Sequence, residues 1–392
     1  MRFPVVESSK IHDESGSPDL SGDGLRRFNF EKTDMQRLVS SNIECPCVLA
    51  SNLEQIHQQI LSASWKVSGC GLAKGALSCA LFMSHYAAMC GRADLTAEIQ
   101  ELFDRGCNGV VSGKTGWLDF ADLALVAHKL SGQNFVQLEQ DYFFEDIDKL
   151  ALAVMARPGH IAGFENSDLG AVLYALRRHS AGAAHFSGPI RQFTSTMLAG
   201  VDVAATGQGN GSLQTGLSAA LLFVSAAAEI GLVEKSKRLG AVSTLARKIC
   251  RNVKVSSQID HGFQTGDVGK GYALLRAGMC FHNQEWITAG LQILIDCAYS
   301  VLDHGIGTLD VASGAAGIAL AFHKLYLLSG YDIFRRAAHQ ARWLSLKSGV
   351  LVDERNIDQG YSFYHGLSGI GLATLHWQQG RPEELNEFVW LL

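Results

Sequence analysis

Two kinds of helical pattern alternate along the chain. One is amphipathic, with its apolar residues on a single stripe: Leu53 to Trp65, Leu95 to Phe103, Phe135 to Met155, Pro189 to Leu198, Ser236 to Val253, Glu285 to Leu302 and Ile333 to Leu346. The other is apolar nearly all round: Gly75 to Ala88, Gly116 to Leu130, Gly170 to Arg178, Ala219 to Ile230, Gly269 to Gly278, Gly317 to Leu328 and Gly369 to Gln378. A helix apolar on every side has to be buried, so the second set belongs in an inner ring and the first in an outer one. Fourteen such runs predict an all-α fold, a seven-hairpin α/α toroid of two concentric rings of helices.

Each inner run opens on a small-residue step: Leu72 to Gly75, Gly113 to Gly116, Ser167 to Gly170, Gly216 to Ala219, Gly266 to Gly269, Gly314 to Gly317 and Gly366 to Gly369. Glycine there lets backbones converge, and its φ freedom suits a tight turn into the helix. Seven helix N-termini at one mouth would also bring unsatisfied N–H groups together. That end is then expected to be electropositive and suited to anionic or carbonyl-bearing ligands.

Composition fits this picture. Hydrophobic residues make up 47% and charged residues 18% of 392 positions, with only six prolines. Residues 1–34 mix Ser, Asp, Gly and charge without periodicity and read as an irregular leader, and 35–392 as one barrel domain. A net charge of −5 without a Lys/Arg block argues against a nucleic-acid partner. No signal core opens the chain and no apolar stretch reaches membrane-spanning length, so a cytoplasmic protein without an integral membrane segment is expected. Nine scattered cysteines suit buried thiols of a reducing compartment, with Cys70, Cys79, Cys90, Cys250, Cys280 and Cys297 on or near helices. Cys45 and Cys47 form a C-x-C pair that lacks the partners of a zinc site.

Two segments go beyond a generic repeat: Gly262 to Gly278 (GFQTGDVGKGYALLRAG) and Ala312 to Tyr326 (ASGAAGIALAFHKLY). They resemble the fifth and sixth inner-helix motifs of the lanthionine synthetase C-like (LanC-like) family, the peptide cyclases of lanthipeptide biosynthesis. Tyr364 to Ala373 (YHGLSGIGLA) resembles the family's closing motif. The resemblance implies a toroid holding one zinc ion at the mouth of the inner ring. Its ligands would be a cysteine of the fifth motif (Trp-Cys-Tyr-Gly-x-x-Gly) and a Cys-His pair of the sixth (Cys-His-Gly-x-x-Gly). In such a site zinc holds a peptide cysteine as thiolate, the thiolate adds to a dehydrated serine or threonine, and an acid protonates the enolate.

In this sequence those ligand positions are Gln264, Ala312 and Ser313. The family's candidate acid histidine falls on Thr215, and the arginine before its fifth motif falls on Asp260. Zinc is therefore expected to be absent. The resemblance and the substitutions together imply a zinc-free protein of ribosomal peptide maturation, binding a precursor peptide or a peptide-modifying enzyme.

His365, just before Gly366, is the one candidate catalytic group, as a mouth-facing acid; otherwise it is an exposed histidine at a helix start. Lys114, Asn166, Thr215, Asp260, Gln264, Thr265, Asp267 and Ser313 lie in or beside the steps and are expected to ring a peptide-binding mouth, although helix capping accounts for each alone. Asp260-His261 and Asp303-His304 read as loop and cap pairs. Three other functions stay open. The first is a metal-independent thioether-forming cyclase using His365. The second is an α/α-toroid carbohydrate-active enzyme built on Asp267, Glu165 and Asp168, and the third a pure scaffold.

Overall fold

The computed structural model describes residues 46–73, 75–112, 116–138, 140–156, 168–199, 212–213, 216–255, 259–347 and 360–386. The leader, Cys45, Lys114, Glu165, Asn166 and Thr215 lie outside the described residues. From Cys47 onward the chain forms one compact unit.

Fourteen α-helices alternate in role among the described residues. The outer helices are α1 (Pro46–Ala63), α3 (Thr96–Val111), α5 (Gln140–Met155), α7 (Ser187–Ala199), α9 (Lys235–Val255), α11 (Gln284–His304) and α13 (Asp332–Lys347). The inner helices are α2 (Ala76–Cys90), α4 (Trp117–Gly132), α6 (Asp168–Ser180), α8 (Leu217–Glu229), α10 (Asp267–Phe281), α12 (Ala315–Ser329) and α14 (Leu367–Gln378). The two hydrophobic patterns explain the two layers. In α2 every residue from Ala76 to Ala87 is buried, whereas α3 buries Ile99, Leu102, Phe103, Gly106 and Val110, one stripe at helical spacing.

Tight turns join inner helices to the outer helices that follow. The residue ending α2, α10 and α12 is left-handed: Gly91 at φ 65°, His282 at φ 55° and Gly330 at φ 72°. Glycines also seat α11 against α10. A Cβ on Gly290 would lie 2.7 Å from the Leu275 nitrogen, so the two backbones touch there.

The ring closes through the loops that lead into the inner helices. The N–H of Leu213 donates to the Gln264 carbonyl (3.0 Å), and that of Gln264 to the Ala312 carbonyl (2.9 Å). Val311 and Ala312 both donate to the Tyr364 carbonyl (3.0 and 2.9 Å), and Phe363 donates to the Leu72 carbonyl (2.8 Å). The last link carries the seventh repeat back to the first. Helix packing repeats the closure, because α14 lies against both α12 and α2.

Three expectations need correction. In repeats 1 and 2 the helix-starting glycine is the second of the proposed step, Gly75 or Gly116, while from repeat 4 onward it is the first. These starting glycines do not use left-handed freedom: their φ values run from −172° at Gly75 to −82° at Gly116. Glycine is needed for close approach instead. A Cβ on Gly269, Gly317 or Gly369 would lie 1.9, 1.8 or 1.7 Å from the carbonyl oxygen of Phe263, Val311 or Phe363, in each case six residues earlier.

The mouth is also less electropositive than a set of bare helix ends. Leading N–H groups are taken up by the helix's own lead-in loop: Ala76 by Gly69 (3.0 Å), Asp267 by Asp260 (2.6 Å), Ala315 by Thr308 (2.9 Å) and Gly369 by Ser362 (3.4 Å). Donors already paired seven residues back are not open to a ligand.

Candidate functional site

The lead-in loops bring four of the sequence-derived positions together. Gln264 and Ala312 share a main-chain hydrogen bond of 2.9 Å, and the Thr265 and Ser313 hydroxyls lie 3.1 Å apart. Repeats 5 and 6 therefore present their equivalent residues side by side, as a shared metal site would require. The chemistry of the donors is different. Gln264 is 98% buried and offers a neutral amide whose Nε2 has no hydrogen-bond partner, Ala312 offers a methyl group, and the Ser313 hydroxyl already faces Thr265.

Zinc in proteins is held by thiolate, imidazole and carboxylate, and these three side chains supply none of them. The residues present do not fit a zinc ion at this place. Among the described residues, no group of three or more His, Cys, Asp or Glu side chains is gathered for a metal elsewhere. The seven cysteines whose side chains are described form no disulfide. Cys79, Cys280 and Cys297 are buried, Cys70, Cys107 and Cys250 half-buried, and Cys90 exposed. Burial pushes the Cys107 thiol up to about 12, far from a reactive thiolate.

Asp260 and Asp267 brace the loop before α10. Asp260 Oδ1 accepts from the Gly262 N–H at 2.9 Å, and Asp267 Oδ2 accepts from the Asp260 N–H at 3.2 Å. The other Asp267 oxygen takes Lys270 Nζ at 2.8 Å, with both side chains largely buried. An acid so committed is poorly placed as half of a glycosidase pair, and Asp168 starts α6. His261, half-buried beside Asp260, is pushed toward the neutral form by burial. His365 is exposed at the rim, and its N–H donates to Ser362 Oγ at 3.0 Å.

Beneath the rim lies a group that the sequence reading missed. Tyr364, 2% exposed, places its hydroxyl 3.5 Å from both carboxylate oxygens of Asp122, a fully buried residue of α4. Arg177 of α6 donates to Asp122 Oδ1 at 3.2 Å. These contacts join repeats 7, 2 and 3, and since repeat 1 separates 7 from 2, they cross the interior of the ring. Burial raises the Asp122 carboxyl to about 7, against the opposing pull of Arg177 and with a push from Asp119. A second acid one turn after Asp119, inside the apolar run Trp117 to Leu130, was the available signal.

Toward the other end of the inner helices, His85 of α2 and His376 of α14 meet nitrogen to nitrogen at 3.0 Å. Burial holds both toward the neutral form, His85 down to about 3. No described helix is long and apolar enough to cross a membrane.

Comparison with known proteins agrees with the motifs. Residues 207–389 match the family model described as lanthionine synthetase C-like protein. Among solved structures, nisin cyclase is similar with a TM-score of 0.63 at 15% identity, over 87% of this chain and 97% of that one. No curated protein matches the chain.

Proposed function

We propose that this chain, whose residues 207–389 match the lanthionine synthetase C-like family model, is a zinc-free member of that family that binds a precursor peptide, or the enzyme modifying it, during ribosomal peptide maturation. One observation carries the reading: the positions of the family's three zinc ligands stand side by side, as Gln264, Ala312 and Ser313, with no thiolate or imidazole among them. A ring that keeps the geometry of a ligand site and lacks its donors is suited to holding a peptide rather than activating its thiol. The other mouth residues, Thr265, Asp260 and Asp267, brace the loops in that reading, and His365 supplies an exposed polar rim.

The test measures metal content and peptide binding together. Purified protein is expected to carry no stoichiometric zinc and to bind a Ser-, Thr- and Cys-bearing precursor peptide saturably. It is expected to leave thioether formation in the dehydrated peptide at the uncatalysed rate. The exposed His365 favours a second reading, a metal-independent cyclase. Thioether formation without bound metal, abolished in His365→Ala, would establish that reading and overturn the first.

A further inference from the structure

The contact among Tyr364, Asp122 and Arg177 joins the rim of the ring to its interior. Tyr364 works at both ends. Its carbonyl receives the N–H groups of Val311 and Ala312, so it holds the repeat 6 loop that carries Ala312 and Ser313. Its hydroxyl reaches inward to Asp122, which Arg177 holds from α6.

We propose that Asp122 is a positioning residue for the mouth: acting through Tyr364, its carboxylate fixes the lead-in loops of repeats 6 and 7, and protonating it releases them. The inference rests on the reading of the mouth as the binding site, although the device itself is a property of the free protein. As an ionised group, Asp122 can accept from Tyr364 O–H and Arg177 N–H together. Once protonated it keeps less acceptor capacity and no longer pairs with the guanidinium charge.

Linkage gives the sign. The hydrogen bond from Tyr364 favours the ionised carboxylate and so lowers the Asp122 pKa, as does Arg177, while burial and Asp119 on the same helix raise it. A loop state in which Tyr364 has let go therefore takes up a proton more readily, and lowering the pH favours that state. Burial brings this titration to the neutral range, at about 7.

Amide hydrogen exchange on the full chain tests the device without a ligand. Protection of residues 311–314 and 361–366, corrected for intrinsic exchange, is expected to fall about two- to threefold between about pH 8 and about pH 6, the loss expected for one long hydrogen bond at the weak end of the usual range. Amides in the middle of outer helix α7 (Ser187–Ala199), which carries no histidine, serve as the internal control and are expected to hold. Asp122→Asn is expected to give low, pH-independent protection at the mouth. If that variant does not fold, Tyr364→Phe keeps the ring, removes the hydroxyl and is expected to show the same flat, low protection.

Mouth protection that is independent of pH in the wild type, or a pH response that persists in Tyr364→Phe, overturns the proposal. A pH-dependent mouth in a protein that binds neither a precursor peptide nor its modifying enzyme would leave this device standing and sink the proposed function instead.

Discussion

The N–H of Gln264 donates to the carbonyl of Ala312 at 2.9 Å, which sets next to each other the two positions where the resemblance places cysteines. Ser313, the histidine position, follows directly, with its hydroxyl 3.1 Å from that of Thr265. In the proposed reading, the scaffold for three ligands is kept without the ligands. Restoring them in one variant, Gln264→Cys with Ala312→Cys and Ser313→His, is expected to create a site for one zinc per chain. Elemental analysis and the visible spectrum of the cobalt-substituted variant would show it. Stoichiometric zinc in the wild-type protein would mean that the ligands lie elsewhere.

Close approach at the helix starts makes a sharp contrast between glycines. A Cβ at position 317 would sit 1.8 Å from the Val311 carbonyl oxygen, and the rigid loop behind that oxygen also donates to Tyr364. Gly317→Ala is expected to cost about 3 kcal/mol or more, or to prevent folding, as overpacking against backbone does. Gly240, exposed inside α9 with nothing within 4 Å of its would-be Cβ, has no such role. Gly240→Ala is expected to stabilise by about 0.5–1 kcal/mol through helix propensity. Urea unfolding of the two variants measures the difference, and equal effects would refute the close-approach account.

Helix roles were legible because burial on all sides and burial on one side leave different patterns. The predicted run Glu285 to Leu302 became Gln284–His304, and Gly317 to Leu328 became Ala315–Ser329. The predicted runs open on the starting glycine in repeats 1 and 2, Gly75 and Gly116, but three residues inside the helix in repeats 4 to 7, where Gly216, Gly266, Gly314 and Gly366 begin it, because two small residues flank each of those starts and only the structure shows which one caps the helix. Motif spacing did point to the positions that the lead-in loops bring together, Gln264 with Ala312 and Thr265 with Ser313. The Tyr364 to Asp122 contact did not, because 242 residues separate the partners and no local pattern pairs a tyrosine before one helix with an acid inside another. Pairing of helix N–H groups with lead-in carbonyls was likewise invisible, being a matter of loop shape rather than side-chain type.

Acid should destabilise the fold through its buried histidines. His57, His85, His261, His323, His339 and His376 are all held below the usual histidine range, in each case chiefly by burial. The unfolded chain takes up protons at these sites below about pH 6.5 before the folded chain does, so stability is full above that pH and falls as the pH drops below it, for His85 down to about 3. Asp122 works in the opposite direction between about pH 7 and about pH 4, because its folded form holds a proton that the unfolded form releases. Six groups outweigh one, and the melting temperature is expected to fall between about pH 7.5 and about pH 5.5. His85→Asn, which keeps a polar partner for His376, is expected to make that fall shallower. A slope unchanged in the variant would remove His85 from the account.

The last expectation concerns an ion pair buried between layers. Asp148 of outer helix α5 accepts both prongs of Arg178 from inner helix α6, Nε at 3.2 Å and Nη2 at 3.1 Å, and also the Tyr174 hydroxyl. The Arg178 guanidinium lies 4.3 Å from the centre of the Phe144 ring, and His185 Nε2 stands 3.4 Å from the carboxylate. With both side chains about nine-tenths buried, removing one leaves the other charged and unpaired in a poorly solvating place. Asp148→Ala is therefore expected to lose about 3–5 kcal/mol in urea unfolding. Arg178→Lys is expected to lose part of that, since lysine cannot supply the fork or the flat stack on Phe144. Replacing both partners, Asp148→Leu with Arg178→Met, removes the desolvation cost along with the attraction and is expected to recover most of the loss. If the double variant is no more stable than Asp148→Ala, the pair contributes through specific geometry that an apolar substitute does not reproduce, and Tyr174, left without its carboxylate, becomes the residue to vary next.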